Sequence, residues 1–256
     1  MSVAQGNVES KIENGIATVA FGHPQSNSLP GIVLRKLAEE IANAGNNDLA
    51  KVIILRSDGE KTFCAGASFD ELVSIKNMEE GKRFFSGFAA VINAIRNAPK
   101  FVIARVHGKA VGGGVGLACA ADYTLAHESA SVKLSELAVG IGAFVVGPSV
   151  ERKIGKAAFI SLSLNAAEWQ TAQWAKEKNL YADVFSSVES LDMAVNKMAE
   201  RLSEYNPEAM KQLKKIFWDG TENWDSLLSE RAEMSGKLVL SEFTRNAIEK
   251  FKTGAR

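Results

Sequence analysis

Three glycines in succession, Gly112, Gly113 and Gly114, with Gly116 close behind, open a run of small apolar residues in HGKAVGGGVGLACAAD. Spacing excludes a dinucleotide loop, because counting G-x-G-x-x-G from Gly112 or Gly114 puts the third glycine position on Leu117 or Cys119. A P-loop is excluded as well, since Leu117 and Ala118 stand where Lys and Ser or Thr would be needed. Two readings remain. The glycines let a helix pack close to a sheet, or they bare the N–H groups of a helix N-terminus, where donors and dipole favour negative charge. Donors placed in this way can hold the oxyanion that develops during reaction at a carbonyl. Such a site commonly uses two. GEKTFCAGASFDEL supplies a second candidate, with the minimal side chains of Ala65, Gly66 and Ala67 ahead of Ser68 and a helical turn.

Stabilising an enolate is half of the chemistry, and a second group must move a proton. Glu136 in KLSELAVGIG has Leu134, Leu137 and Val139 around it, and apolar surroundings raise a carboxyl pKa toward the range useful for proton shuttling near neutrality. The same residue also reads as an ordinary carboxylate at a strand end. Other reactive types carry less. His23, His107 and His127 are scattered beside strands and read as structural. Cys64 and Cys119 lack the spacing of a metal site and read as buried thiols. No serine has a G-x-S-x-G context. Phe63, Phe69, Phe84, Phe85, Phe88 and Phe144 divide between core and a pocket wall, Trp169 and Trp174 read as packing, and Arg83 as a solvated charge on a helix face.

The elements that position these residues follow from periodicity. VESKI and IATVAF flank Asn14-Gly15, the dipeptide suited to a tight hairpin. A helix is expected over SLPGIVLRKLAEEIANAG, with Ser28 as N-cap and Pro30 in the first turn, then a strand at KVIILRS. An amphipathic helix from Met78 ends before Pro99, FVIARV is a buried strand, and the glycines begin a helix, GVGLACAA. DYTLAH and SVKLSEL read as two more strands. The alternation implies an α/β class. After about Leu191 the pattern is helical only, so the expected division is a core over residues 1–190 and a helical region over 191–256.

Bulk properties narrow the partners. Thirty basic and thirty acidic residues cancel in the 256-residue chain, which leaves no electrostatic footprint for nucleic acid or an anionic membrane. No apolar run approaches the ~20 residues of a membrane span, and MSVAQGNVES has no signal-peptide pattern. A cytoplasmic location is expected.

Taken together and in order, Asn27-Ser28-Leu29, FCAGA, HGKAVGGGVGL, ADYTLA, SVKLSEL and NAAEWQTAQWAKEKNL resemble the crotonase, or enoyl-CoA hydratase/isomerase, superfamily over nearly the whole chain. The resemblance implies a spiral of ββα units with a C-terminal helical trimerisation region, and a homotrimer or dimer of trimers. It implies an acyl-CoA thioester substrate whose oxygen is held by the amides of Ala67 and Gly113, with Ala65, Gly66, Ser68, Phe69 and Gly112 around it and the chain near Ala65 against the adenine. CoA then enters as part of the substrate, and no metal or redox cofactor is required. Lys250 and Lys252 lie where family members place basic residues near the nucleotide phosphate. Family hydratases carry two glutamates. The second matches Glu136, whereas Gly116 stands at the first, and GIGAFVVGPSVERKIG departs from the usual glycine-rich loop. One glutamate suits double-bond isomerisation. The alternatives are a hydratase or dehydratase of a short branched or carboxylated enoyl-CoA, methylglutaconyl-CoA-like, with Asp70 or Glu71 approaching from another side, and a non-catalytic acyl-CoA-binding oligomer.

Overall fold

Asn14 and Gly15 both take positive φ, 51° and 80°, the backbone that a two-residue hairpin needs to match strand twist. They join β1 (Asn7–Glu13) to β2 (Ile16–Gly22) in antiparallel register. The computed structural model describes residues 6–253. After the hairpin come β3 (Ser28–Leu29), α1 (Gly31–Asn46), β4 (Val52–Ser57), β5 (Thr62–Cys64), β6 (Gly66–Ala67), α2 (Phe69–Ser74) and α3 (Met78–Asn97). The middle of the chain forms β7 (Val102–Val106), β8 (Lys109–Val111), α4 (Gly113–Ala120), β9 (Tyr123–His127) and β10 (Val132–Lys133), then a 3-10 turn at Leu137–Val139. Next are α5 (Gly147–Ile154), α6 (Lys156–Leu164), α7 (Ala172–Glu177) and β11 (Asp183–Phe185). Four helices close the described chain: α8 (Val188–Ser203), α9 (Pro207–Phe217), α10 (Trp224–Leu238) and α11 (Glu242–Thr253).

The main sheet has six strands in the order β1-β2-β4-β7-β9-β11, parallel except for the hairpin. Strands buried on both faces read as continuous apolar runs, which explains VIIL and FVIARV. Ile53, Leu55, Val102 and Ala104 face the larger core with α1 and α3, while Val52, Ile54, Ile103 and Leu125 face Leu191, Val195 and Ala199 of α8. Arg105 leaves β7 on that second face and pairs with Asp192 of α8. α10 joins the larger core through Trp224, Leu228 and Ala232. It crosses α3 so closely that a Cβ on Gly81 would stand 2.8 Å from Gly236 Cα. No helix among the described residues is long and apolar enough to cross a membrane.

Two smaller sheets, β10-β8-β5 and β3-β6, lie beside the candidate donor loops. They also correct two expectations. Ser28 is no N-cap: it pairs with Gly66 in the β3–β6 ladder, Pro30 takes the cap position, and Glu71 of α2 accepts the Gly31 N–H at 2.6 Å. SVKLSEL contributes only Val132–Lys133 to a sheet, after which the chain turns so that Glu136 caps the 3-10 turn.

Candidate active site

β8 delivers the chain to the N-terminus of α4. Gly112 is the N-cap at φ 51° and ψ −115°, a conformation that favours glycine, and its N–H donates to Lys133 O at 2.8 Å. A Cβ there would lie 2.8 Å from Glu136 Oε1, so the carboxyl rests against a bare Cα. A Cβ on Gly113 would strike the Phe88 ring, on Gly114 the Cys64 carbonyl, and on Gly116 the Val146 side chain. Close packing and an open helix end are therefore the same device. Val115 and Gly116 make the first bonds back to Gly112 O, at 2.9 and 3.2 Å. The amide of Gly113 precedes them and belongs to the group of N-terminal donors that a helix cannot satisfy internally.

The second donor loop is β6. Ser68 donates its N–H to Leu29 O at 3.1 Å; amides alternate sides along a strand, so the preceding amide of Ala67 faces away from β3, and Ala67 lines the cavity. Gly66, at φ 87°, lets this loop approach α4. A Cβ on it would lie 2.9 Å from Val111 O and 3.5 Å from Gly113 N. The two loops thus converge on one space.

Glu136 closes that space from a third direction. Its carbonyl accepts from Val139 and Ile141 at 3.2 and 2.9 Å, and the turn it begins is held by α11, where Thr244 Oγ1 donates to Gly140 O at 3.2 Å. Part of the residue meets solvent, yet Oε2 is buried and has no hydrogen-bond partner among the described residues. Loss of hydration pushes its pKa from 4.5 to about 7, against a smaller opposing effect of a backbone hydrogen bond. A carboxyl poised in this way exchanges a proton readily at neutral pH.

Ala65, Gly66, Ala67, Phe69, Gly112 and Gly113 line one small cavity, of about 70 Å³, together with Glu136. Ser68 does not: its buried side chain caps α2, accepting the Glu71 N–H at 3.4 Å. Phe69, Phe85, Phe88 and Phe144 form walls, while Phe63 packs edge-on against Phe21 and Phe84 lies in the core. Asp70 accepts from Gln25 Nε2 at 2.7 Å and Glu71 caps α1; neither lines the cavity. Arg83 lines a separate surface pocket with Arg35 and Glu80. Trp169 lies beneath the ammonium groups of Lys109 and Lys133. Lys250 is exposed on α11, and the Lys252 side chain lies outside the described residues. Burial holds both cysteine thiols near a pKa of about 12. His107 is buried without a partner for either ring nitrogen among the described residues, and burial, then Arg105 and Arg56, lower its pKa to about 4. Sequence reasoning gave no role to Val145 and Val146, or to Ser235 of α10, all of which line the cavity. The departure of the loop after Gly140 was the only signal for the valines, and none pointed to Ser235.

Comparison with known proteins identifies the family. The family model described as enoyl-CoA hydratase/isomerase matches residues 11–252. A mitochondrial methylglutaconyl-CoA hydratase of Rattus norvegicus is 31% identical over 185 residues, 71% of this chain and 58% of that protein. A peroxisomal Delta(3,5)-Delta(2,4)-dienoyl-CoA isomerase of Arabidopsis thaliana is 31% identical over 191 residues, 69% of this chain and 67% of that protein. The crystal structure of an enoyl-CoA hydratase from Bacillus halodurans superposes with a TM-score of 0.87 at 22% identity, covering 94% of this chain and 98% of that one. With its fold, its two converging amide loops and a family match over nearly its whole length, the chain belongs to the enoyl-CoA hydratase/isomerase family of the crotonase superfamily.

Proposed function

We propose that the protein shifts the double bond of an enoyl-CoA thioester, with Glu136 carrying the proton. The carboxylate takes a proton from C2 of a 3-enoyl thioester. The C–H electron pair moves toward the carbonyl, whose oxygen becomes the negative end of a dienolate held by the Ala67 and Gly113 amides. Glu136 then returns the proton to C4, the double bond settles between C2 and C3, and the carbonyl re-forms. Nothing is gained or lost. CoA enters as part of the substrate, and the sequence of steps needs no metal or redox group.

One observation carries this reading. Glu136 is the only ionisable side chain among the described residues lining the cavity, and Val146 fills the space that a side chain at Gly116 would need. Water activation from that side thus meets an apolar wall. The two named relatives, one a hydratase and the other an isomerase, are equally identical to this chain and do not separate the reactions. Incubating a 3-enoyl-CoA and, separately, its 2-enoyl isomer with the protein in heavy-oxygen water separates them. Isomerisation changes retention without changing mass, whereas hydration adds a water carrying the label and overturns the proposal. Glu136→Gln should lower kcat by about 10²–10⁴-fold while acyl-CoA binding persists.

A further inference from the structure

A second cavity, of about 370 Å³, adjoins the first and shares Gly142, Ala143 and Phe144 with it. The two are interleaved along the chain. Glu136 faces the first and Leu137 the second; Ser235 of α10 lines the first, and Arg231, one helical turn earlier, lines the second. Four residues of helix rise span about 6 Å, so a chain of a few carbons bridges from one to the other. Phe144 is the partition. Its ring folds back over Gly142, where a Cβ would collide with it.

The second cavity is a mostly apolar groove open to solvent, with Leu137, Ile160 and Leu164 exposed along it, but it holds two polar atoms that the protein leaves unanswered. Arg231 Nε and Ser163 Oγ are both buried and lack a hydrogen-bond partner among the described residues. Arg231 makes no ion pair among the described residues. Glu151, the acidic member of the lining, is exposed and is not paired with it. Arg231 as a whole is only partly buried, but an N–H kept from water without an acceptor is costly, and the planar fork of a guanidinium matches a carboxylate.

We propose that this cavity extends the acyl pocket past Phe144 and holds a carboxylate at the far end of the acyl group, with Arg231 and Ser163 as its donors. This rests on the acyl-CoA reading of the first cavity and narrows its substrate class to dicarboxylic monothioesters. The test uses two saturated, unreactive thioesters of equal carbon count, adipoyl-CoA and hexanoyl-CoA, titrated calorimetrically into wild type, Arg231→Met and Ser163→Ala. Wild type should bind adipoyl-CoA at least about tenfold more tightly, Arg231→Met should abolish that preference with hexanoyl-CoA affinity unchanged, and Ser163→Ala should weaken it in part. Equal binding by wild type, or a preference that survives Arg231→Met, overturns the carboxylate site and leaves the acyl-CoA reading standing. Binding of neither thioester overturns both. Sedimentation of Arg231→Met supplies the remaining arm: a change of oligomeric state would assign the arginine to a subunit contact and overturn the proposal.

Discussion

Keeping Glu136 out of water costs stability wherever the residue is ionised. Its folded pKa, about 7, lies above the ordinary 4.5, so between those values the native chain holds a proton that the unfolded chain has released. Stability therefore falls as pH rises through that interval and is level above it. The interval corresponds to about 3 kcal/mol. Glutamine keeps the shape and carries no charge, so Glu136→Gln should match wild type below about pH 4 and exceed it by up to about 3 kcal/mol above about pH 7. Urea midpoints at both ends of the range check this; equal midpoints at high pH would mean that the carboxyl is hydrated. Leu134, Leu137 and Val139 made the direction of the shift legible in the sequence. The orphaned Oε2 was not legible, because its isolation depends on Gly112 having no side chain and on a turn that α11 holds in place.

Between elements, the departure at Gly116 and the departure of the loop beyond Gly140 are one feature. α4 and α5 meet where Gly116 leaves room for Val146, and Ser149 Oγ donates to Gly116 O at 3.3 Å across the same seam. A methyl at 116 would gain about 1 kcal/mol of helix propensity but overpack Val146 at about 1–3 kcal/mol. Gly116→Ala should thus destabilise wild type. In a Val146→Gly background the nearest atom left at position 146 is Cα, 3.5 Å from the added methyl, so the clash is gone and the same substitution should become neutral or stabilising. A double-mutant cycle by urea denaturation measures that change of sign, and additive effects would mean that the two residues do not meet. Local rules made the Asn14-Gly15 hairpin and the helix from Met78 readable in advance. They failed at Ser28, where pairing with Gly66 and a cap supplied by Glu71 from a distant helix outcompeted its own capping tendency. They failed again over SVKLSEL, whose apolar alternation continues past Lys133 although its ladder partner, β8, ends at Val111.

Across the whole molecule, the helical region after residue 190 is fastened to the sheet by buried charge as well as apolar packing. Lys214 of α9 donates to Ile95 O, Lys100 O and Asp122 Oδ2, each at 2.8 Å, which uses all three protons of its ammonium. Asp122, just before β9, also accepts from Val102 N at 2.7 Å and Trp218 Nε1 at 3.0 Å. The two side chains are 3% and 7% exposed. Burial lowers the Lys214 pKa despite the attraction of Asp122, as expected where desolvation offsets much of the pairing. The pair therefore matters through what its loss leaves behind. Lys214→Met preserves the apolar stem but leaves the buried carboxylate with only the Val102 and Trp218 donors and the more distant charges of Lys153 and Arg152, a change that costs up to about 3 kcal/mol. Because Trp218, Trp224 and Leu228 share one core with the sheet's inner face, the loss should lower the midpoint of a single unfolding transition, seen alike by circular dichroism and tryptophan fluorescence. Two separated transitions in the variant would instead show that α9 and α10 come away before the sheet does. Ser235, the α10 residue that lines the Glu136 cavity, would then leave its place while the two glycine-bearing loops stayed folded.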